Sequence, residues 1–138
     1  MIIYAFTDGA SRGNPGESGI GILLKDEQGN IIFSGGGYIG TATNNTAEYE
    51  ALLTCLKKAQ ETQCDKLVVH SDSQLMVRQL QGKYRVKDKN LQKYYLQVHQ
   101  LLQEVPFKFE IVHVDREQNR EADLLANAGI DSKQKLRI

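Results

Sequence analysis

Four carboxylates stand where a chain usually turns or starts a helix: Asp8, Glu48, Asp72 and Asp123. Asp8 and Asp72 each follow a short apolar run, 2–7 and 66–70, readable as buried strands. If those strands are adjacent and parallel, both acids lie at one carboxyl edge, where open α/β sheets bind ligands. Each also has an ordinary reading, Asp8 as a turn residue before glycine and Asp72 as a helix cap flanked by serines. Glu48 resists the ordinary reading. It leads the stripe Glu48, Leu52, Cys55, Ala59, which turns its carboxylate toward the sheet. A favourable place in the first helical turn explains an acid there but not an inward one, and an inward carboxylate needs a partner. Asp123 lies in the first turns of the last helix beside the inward candidates Ala122 and Ala126, and alone it reads as solvated surface. Together the four would repel strongly, and divalent cations relieve that repulsion. A set of oxygen ligands selects Mg²⁺ or Mn²⁺ over zinc. Two such ions roughly 4 Å apart can clamp the attacking and leaving oxygens of a phosphodiester.

The elements that must position these groups follow from patterning. Residues 2–7, 19–25 and 31–39 read as strands, with a turn-rich stretch over 8–16 and a hairpin loop over 26–30. Gly35-Gly36-Gly37 suggests a bulge or bend. Residues 45–60 form the clearest helix, capped by Asn44 or Asn45, with Glu48 at capping-box spacing from Asn45. A strand over 66–70, a short helix through Leu80 and a helix over 89–103 follow. A strand over 107–114 and a helix over 119–128, closed by Gly129, complete the chain. The order β-β-β-α-β-α-α-β-α implies an α/β fold: a five-stranded mixed sheet, an antiparallel meander plus parallel strands, flanked by helices.

Bulk properties narrow the class. The 138 residues, 41% of them hydrophobic, suit a single domain over 1–138 with one core. Seventeen Lys plus Arg balance seventeen Asp plus Glu, which counts mildly against a nucleic-acid partner unless the basic excess is local. A local excess exists: Lys83, Arg85, Lys87, Lys89 and Lys93, opposed only by Asp88 and interleaved with Tyr84, Tyr94 and Tyr95. It reads as a reduced phosphate-binding patch or as a solvated helix face. The basic tail, about 131–138, could add affinity or fray. Cys55 and Cys64 have no metal spacing, and Cys55 reads as a reduced core residue. His70 and His99 read as structural. With no signal peptide and no membrane-length apolar run, a soluble cytoplasmic monomer is expected.

The motifs carry a resemblance. Thr7-Asp8-Gly9-Ala10-Ser11-Arg12-Gly13-Asn14-Pro15-Gly16 resembles the opening motif of the type 1 ribonuclease H family. Thr43-Asn44-Asn45-Thr46-Ala47-Glu48, Ser71-Asp72-Ser73-Gln74 and Arg116-Glu117-Gln118-Asn119-Arg120-Glu121-Ala122-Asp123 resemble its second, third and fourth, in family order over nearly the whole chain. The resemblance implies a ribonuclease H-like fold. It also implies a two-metal endonuclease that cuts the RNA strand of an RNA–DNA hybrid to 5′-phosphate and 3′-hydroxyl ends. Asp8, Glu48, Asp72 and Asp123 match the metal-binding carboxylates. By the same match Asp8 would bridge both ions, and Glu48 would also hydrogen-bond a ribose 2′-hydroxyl. Asn14, Asn45 and Gln74 match minor-groove contacts, where the 2′-hydroxyl marks RNA. Asn44 and Thr43 match contacts on the DNA-strand side, Thr43 in a phosphate pocket.

Two departures stand out. Many members have a mobile loop with a histidine before the last helix; here the connection is only 115–118. His113 reads as a strand residue preceding Val114, and Arg116 is the better candidate for a substitute at the site mouth, competing with an ordinary surface role. The basic protrusion of some members is also short, at 81–89. Two other readings therefore stand beside the endonuclease: a hybrid-binding module with weak or lost catalysis, and another nuclease of the same fold.

Overall fold

The computed structural model describes residues 1–136. The strands are β1 (Ile2–Gly13), β2 (Gly16–Lys25), β3 (Ile31–Ala42), β4 (Lys66–Ser71) and β5 (Lys108–His113). They form one sheet in the order β3-β2-β1-β4-β5. β1 pairs antiparallel with β2 and parallel with β4, and β5 runs parallel beyond β4. The expected meander and parallel set are both present.

β1 corrects the expected strand over 2–7. It continues to Gly13, because Asp8 to Gly13 pair with Gly21 to Gly16 of β2. The parallel ladder with β4 stops at Thr7↔Ser71. Asp8 and Asp72 are thus the first residues past that shared ladder. The geometry at the sheet edge is as expected, although Asp8 lies inside a strand.

Helices cover both faces. α1 (Asn44–Gln60) buries Tyr49, Leu52, Cys55, Leu56 and Ala59 in the core. α4 (Arg120–Ser132) lies on the opposite face, over β2 and β3. Its approach explains the glycines. A Cβ on Gly36 would stand 1.9 Å from the Leu125 carbonyl oxygen, and one on Gly21 2.1 Å from that of Ala122. The expected bulge at Gly35-Gly36-Gly37 is absent: these residues pair in step with Ile22, Gly21 and Ile20, and the register shifts fall at Ser18/Gly19 and Leu24/Lys25. Gly129 likewise does not end α4. It packs against the Gly37 backbone, and the helix closes at Lys133, with φ 56°. α2 (Gln74–Leu80) follows β4, and α3 (Lys89–Glu104) packs on α1 through Leu91 and Val98.

The chain leaves α4 across the edge of β3. Tyr38 N donates to the Gln134 carbonyl at 2.7 Å, and Leu136 settles over Gly35 and Gly37. Lys133 pairs with Glu17 and sits over the Tyr38 ring. This part of the expected basic tail is engaged by β2 and β3, covering a sheet edge that would otherwise offer free backbone groups. Arg137 and Ile138 lie outside the described residues. No helix among the described residues is long and apolar enough to cross a membrane.

Candidate metal and nucleic-acid site

Asp8, Glu48 and Asp72 converge: one oxygen from each lies within 4.8 Å of the others. β1 and β4 supply the aspartates at the end of their common ladder, and α1 supplies the glutamate. Glu48 faces inward as its stripe predicts and is 8% exposed. Its Oε1 accepts from Gly9 N at 2.8 Å, so it takes no part in a capping box. The cap of α1 is Thr43, whose Oγ1 accepts from Thr46 N at 3.2 Å. Asn44 and Asn45, the expected caps, are already helical. Asp72 is also no cap: Ser73 caps α2 by accepting from Met76 N at 3.2 Å. Its carboxylate is left free for other chemistry.

Burial pushes the Asp8 carboxyl far above the usual carboxylate range, and the neighbouring Glu48, Asp72 and Asp123 add to the rise. Burial also raises Glu48, with Asp72 adding to it, while the Gly9 N–H and Arg116 pull it down. Among the described residues, no lysine or arginine forms an ion pair with any of the four acids. Crowded, buried oxygen ligands without a protein cation fit a hard divalent ion. Asp123 stands slightly apart. It lines the same 480 Å³ cleft, half-buried, but lies outside the three-acid cluster.

The rim is built from amides. Asn14 Oδ1 accepts from Asn44 N at 3.1 Å, and Asn44 Oδ1 accepts from Ser11 N at 3.0 Å. With its amide turned so that both ends are satisfied, Gln74 accepts through Oε1 from Arg78 Nη2 at 3.1 Å and Nε at 3.3 Å. In all three the oxygen is engaged, so the NH₂ group is what each can offer a ligand. Asn45 lies between the carboxylate cleft and a second recess of 270 Å³ lined by Asn14, Thr43, Thr46, Asp88, Asn90 and Leu91. Sequence reasoning missed Asn90, which donates to Thr46 Oγ1 at 3.0 Å. In the first turn of α3 it looks like any solvated asparagine; only the fold brings it to Thr46 and Thr43.

Arg116 lines the carboxylate cleft from the short connection between β5 and α4. His113 is the last residue of β5, opposite Ser71 and exposed, in keeping with the strand reading. Lys83 and Arg85 line a separate cleft of 660 Å³, the larger of the two, with Tyr84, Tyr95 and Leu96. Lys87 is exposed beside it. Tyr94 does not interleave with this patch: its hydroxyl donates to Glu50 Oε1 at 2.8 Å and its ring packs near Tyr49. Arg78 over the Tyr84 ring links the patch to Gln74. His70 is structural, with Nδ1 2.9 Å from the Ala5 carbonyl and its ring stacked on Phe6. His99 packs edge-on to Tyr95. Both cysteines are free and buried, and burial pushes the Cys55 thiol up to about 12.

Comparison with known proteins places this geometry. A family model described as "Reverse transcriptase-like" matches residues 6–129. Ribonuclease HI of Halobacterium salinarum is 40% identical over 94% of this chain, which spans 64% of that protein's length. Ribonuclease H of Coxiella burnetii is 34% identical over 94% of this chain and 90% of its own. The solved structure of LC11-RNase H1 in complex with an RNA/DNA hybrid superposes with a TM-score of 0.91 at 40% identity, covering 94% of this chain and 97% of that one.

Proposed function

The chain belongs to the ribonuclease H family, and on that premise we propose that it cuts the RNA strand of RNA–DNA hybrids internally, leaving 5′-phosphate and 3′-hydroxyl ends. The observation that carries this reading is the convergence of Asp8, Glu48 and Asp72 in a cleft also lined by the amides of Asn44, Asn45 and Gln74. Asp8, Glu48, Asp72 and Asp123 would hold two Mg²⁺ or Mn²⁺ ions. Such ions, when bound, supply charge stabilisation at the phosphate and lower the pKa of a water molecule.

The chain's own residues do the rest. Asn14, Asn45 and Gln74 offer donors to the minor groove, whose base edges are acceptors at every pair and whose RNA side carries 2′-hydroxyls. Glu48 would also accept from one of those hydroxyls. Asn44 and Thr43 would meet the DNA strand, with Thr43 lining the smaller recess together with Asn90. Lys83, Arg85 and Lys87 would meet phosphates beyond α2. The same reading takes the chain as one domain acting as a cytoplasmic monomer.

A substrate panel tests it. Labelled hybrid, duplex DNA, duplex RNA and single strands are incubated with Mg²⁺ or Mn²⁺. Internal cuts confined to the RNA of the hybrid are expected. Tight hybrid binding without cuts under either metal would instead establish a binding module, and stepwise shortening of DNA ends an exonuclease.

Arg116 is assigned to the scissile or adjacent phosphate, which a guanidinium can hold bidentately. Arg116→Ala is expected to slow turnover about tenfold, the worth of a charge-assisted hydrogen bond. Arg116→Lys should recover only part of that, since an ammonium lacks the planar fork. Steady-state kinetics on the hybrid decide; wild-type turnover in Arg116→Ala would return the residue to the surface.

A further inference from the structure

Asp8 and Glu48 are buried and Asp72 follows directly on β4, whereas Asp123 is half-buried on α4, lining the cleft from outside the three-acid cluster. One turn further along the helix, Asn127 donates through Nδ2 to Asp123 Oδ1 at 3.3 Å and to the Asp123 carbonyl at 3.0 Å. A bond to a carbonyl four residues back is ordinary for a helical asparagine. The third partner is not ordinary. Arg12, at the far end of β1, brings Nη2 to 3.3 Å from Asn127 Oδ1 and 3.4 Å from the Asn127 carbonyl. Its Nη1 is held by Asp131 Oδ1 at 2.7 Å.

The chemistry of the amide makes this arrangement directional. A carboxamide has one accepting side and one donating side, and a guanidinium can only donate. Arg12 therefore claims the oxygen of Asn127. The NH₂ is left facing Asp123, which as a carboxylate can only accept. Without Arg12 the amide could turn over and present its oxygen to the acid, which would push the carboxylate away. Asp131 keeps the guanidinium in reach on the same face of α4. Arg12 belongs to the opening motif of the sequence, yet nothing in the proposed chemistry uses it.

We propose that Asn127 is a positioning residue that aims Asp123 into the metal site, with its amide set by Arg12. This rests on reading Asp123 as a metal ligand. Residues that orient a ligand typically cost tenfold or more in affinity when removed.

The test uses the full chain and reads metal binding apart from activity. Mn²⁺ is titrated calorimetrically into the substrate-free protein, and hybrid cleavage is followed as Mg²⁺ is varied. Asn127→Ala is expected to weaken Mn²⁺ binding by about tenfold and to raise the Mg²⁺ needed for half-maximal cleavage similarly, with KM for the hybrid unmoved. Arg12→Gln, distant from the helix turn that carries Asp123, should shift both in the same direction by a smaller factor. The double variant should be no worse than Asn127→Ala, because both act through one bond. An unchanged Mn²⁺ affinity in Asn127→Ala, alongside its loss in Asp123→Asn, overturns the positioning role alone. Retained affinity and cleavage in Asp123→Asn would instead remove Asp123 from the metal site, and the inference with it. Additive losses in the double variant would break the link between Arg12 and Asn127. If Asn127→Ala melts far below the wild type, Arg12→Gln decides.

Discussion

Asp8→Asn is expected to abolish hybrid cleavage, by at least about a thousandfold, while making the metal-free protein more stable at neutral pH. The two effects have one cause. Asp8 is 5% exposed and faces Glu48, Asp72 and Asp123, so burial and like charge hold its carboxyl far above the usual carboxylate range. A carboxyl raised in the folded state favours folding fully below its unfolded pKa, and that contribution is lost as the pH rises through the folded value. As the pH rises between the unfolded and folded values, the metal-free fold is increasingly penalised, because the unfolded chain gives up the Asp8 proton that the fold retains. Asparagine keeps the shape and never ionises. The variant should gain about 1–3 kcal/mol near pH 8 without metal, and the gain should vanish near pH 4. Added Mg²⁺ should raise the wild-type melting temperature at the higher pH, because bound cations offset the repulsion, and should raise the variant's much less. Calorimetric melts with and without Mg²⁺ at both pH values check the sign. Active Asp8→Asn would dismiss the assigned site, and a variant no more stable at either pH would mean that the acids are not crowded as described.

Glu48 was legible because a helix repeats every 3.6 residues, and Leu52, Cys55 and Ala59 fix the face it must share. Asp8 and Asp72 were legible because each follows a run apolar enough to be a buried strand. The end of β1 was not. Asp8-Gly9-Ala10-Ser11-Arg12-Gly13 has turn chemistry throughout, and only pairing with β2 makes it a strand. Gly129 misled for a related reason. Glycine after a helix and glycine under a helix look alike in sequence, and only the nearness of Gly37 separates them. Caps misled too, since Thr43, Asn44 and Asn45 are all good caps and tertiary bonds from Asn44 to Ser11 and Asn14 settle the choice. Tyr94 and Asn90 show the remaining gap. The stripe Leu91, Tyr94, Val98, Leu101 marks the packing face of α3, but nothing local tells that Tyr94 meets Glu50 there and Asn90 meets Thr46.

Gly9→Ala is expected to damage both the fold and the site through a single methyl group. A Cβ there would stand 2.2 Å from the Ala47 carbonyl carbon, 2.3 Å from Glu48 N and 2.4 Å from the Ala47 oxygen. All three atoms are α1 backbone, so no side chain can swing aside. The helix must retreat from β1 by about 1 Å or more to restore ordinary contact, and overpacking of a buried interface costs about 3 kcal/mol. That corresponds to a melting temperature lower by roughly 10 °C for a chain of this size. The retreat also breaks the bond from Gly9 N to Glu48 Oε1, which fixes the glutamate beside Asp8 and Asp72. A displacement of that size at reacting groups costs about a hundredfold in rate. Gly29→Ala separates this clash from the general cost of losing a glycine. Gly29 has φ +84° with nothing within 4 Å of its missing Cβ. Its substitution should cost only about 1 kcal/mol of backbone strain and leave cleavage intact. A Gly9→Ala protein that melts and cleaves like the wild type would show that α1 does not sit against β1 at this point. In that case the second residue of the Asp8-Gly9 pair would have no steric reason to be glycine.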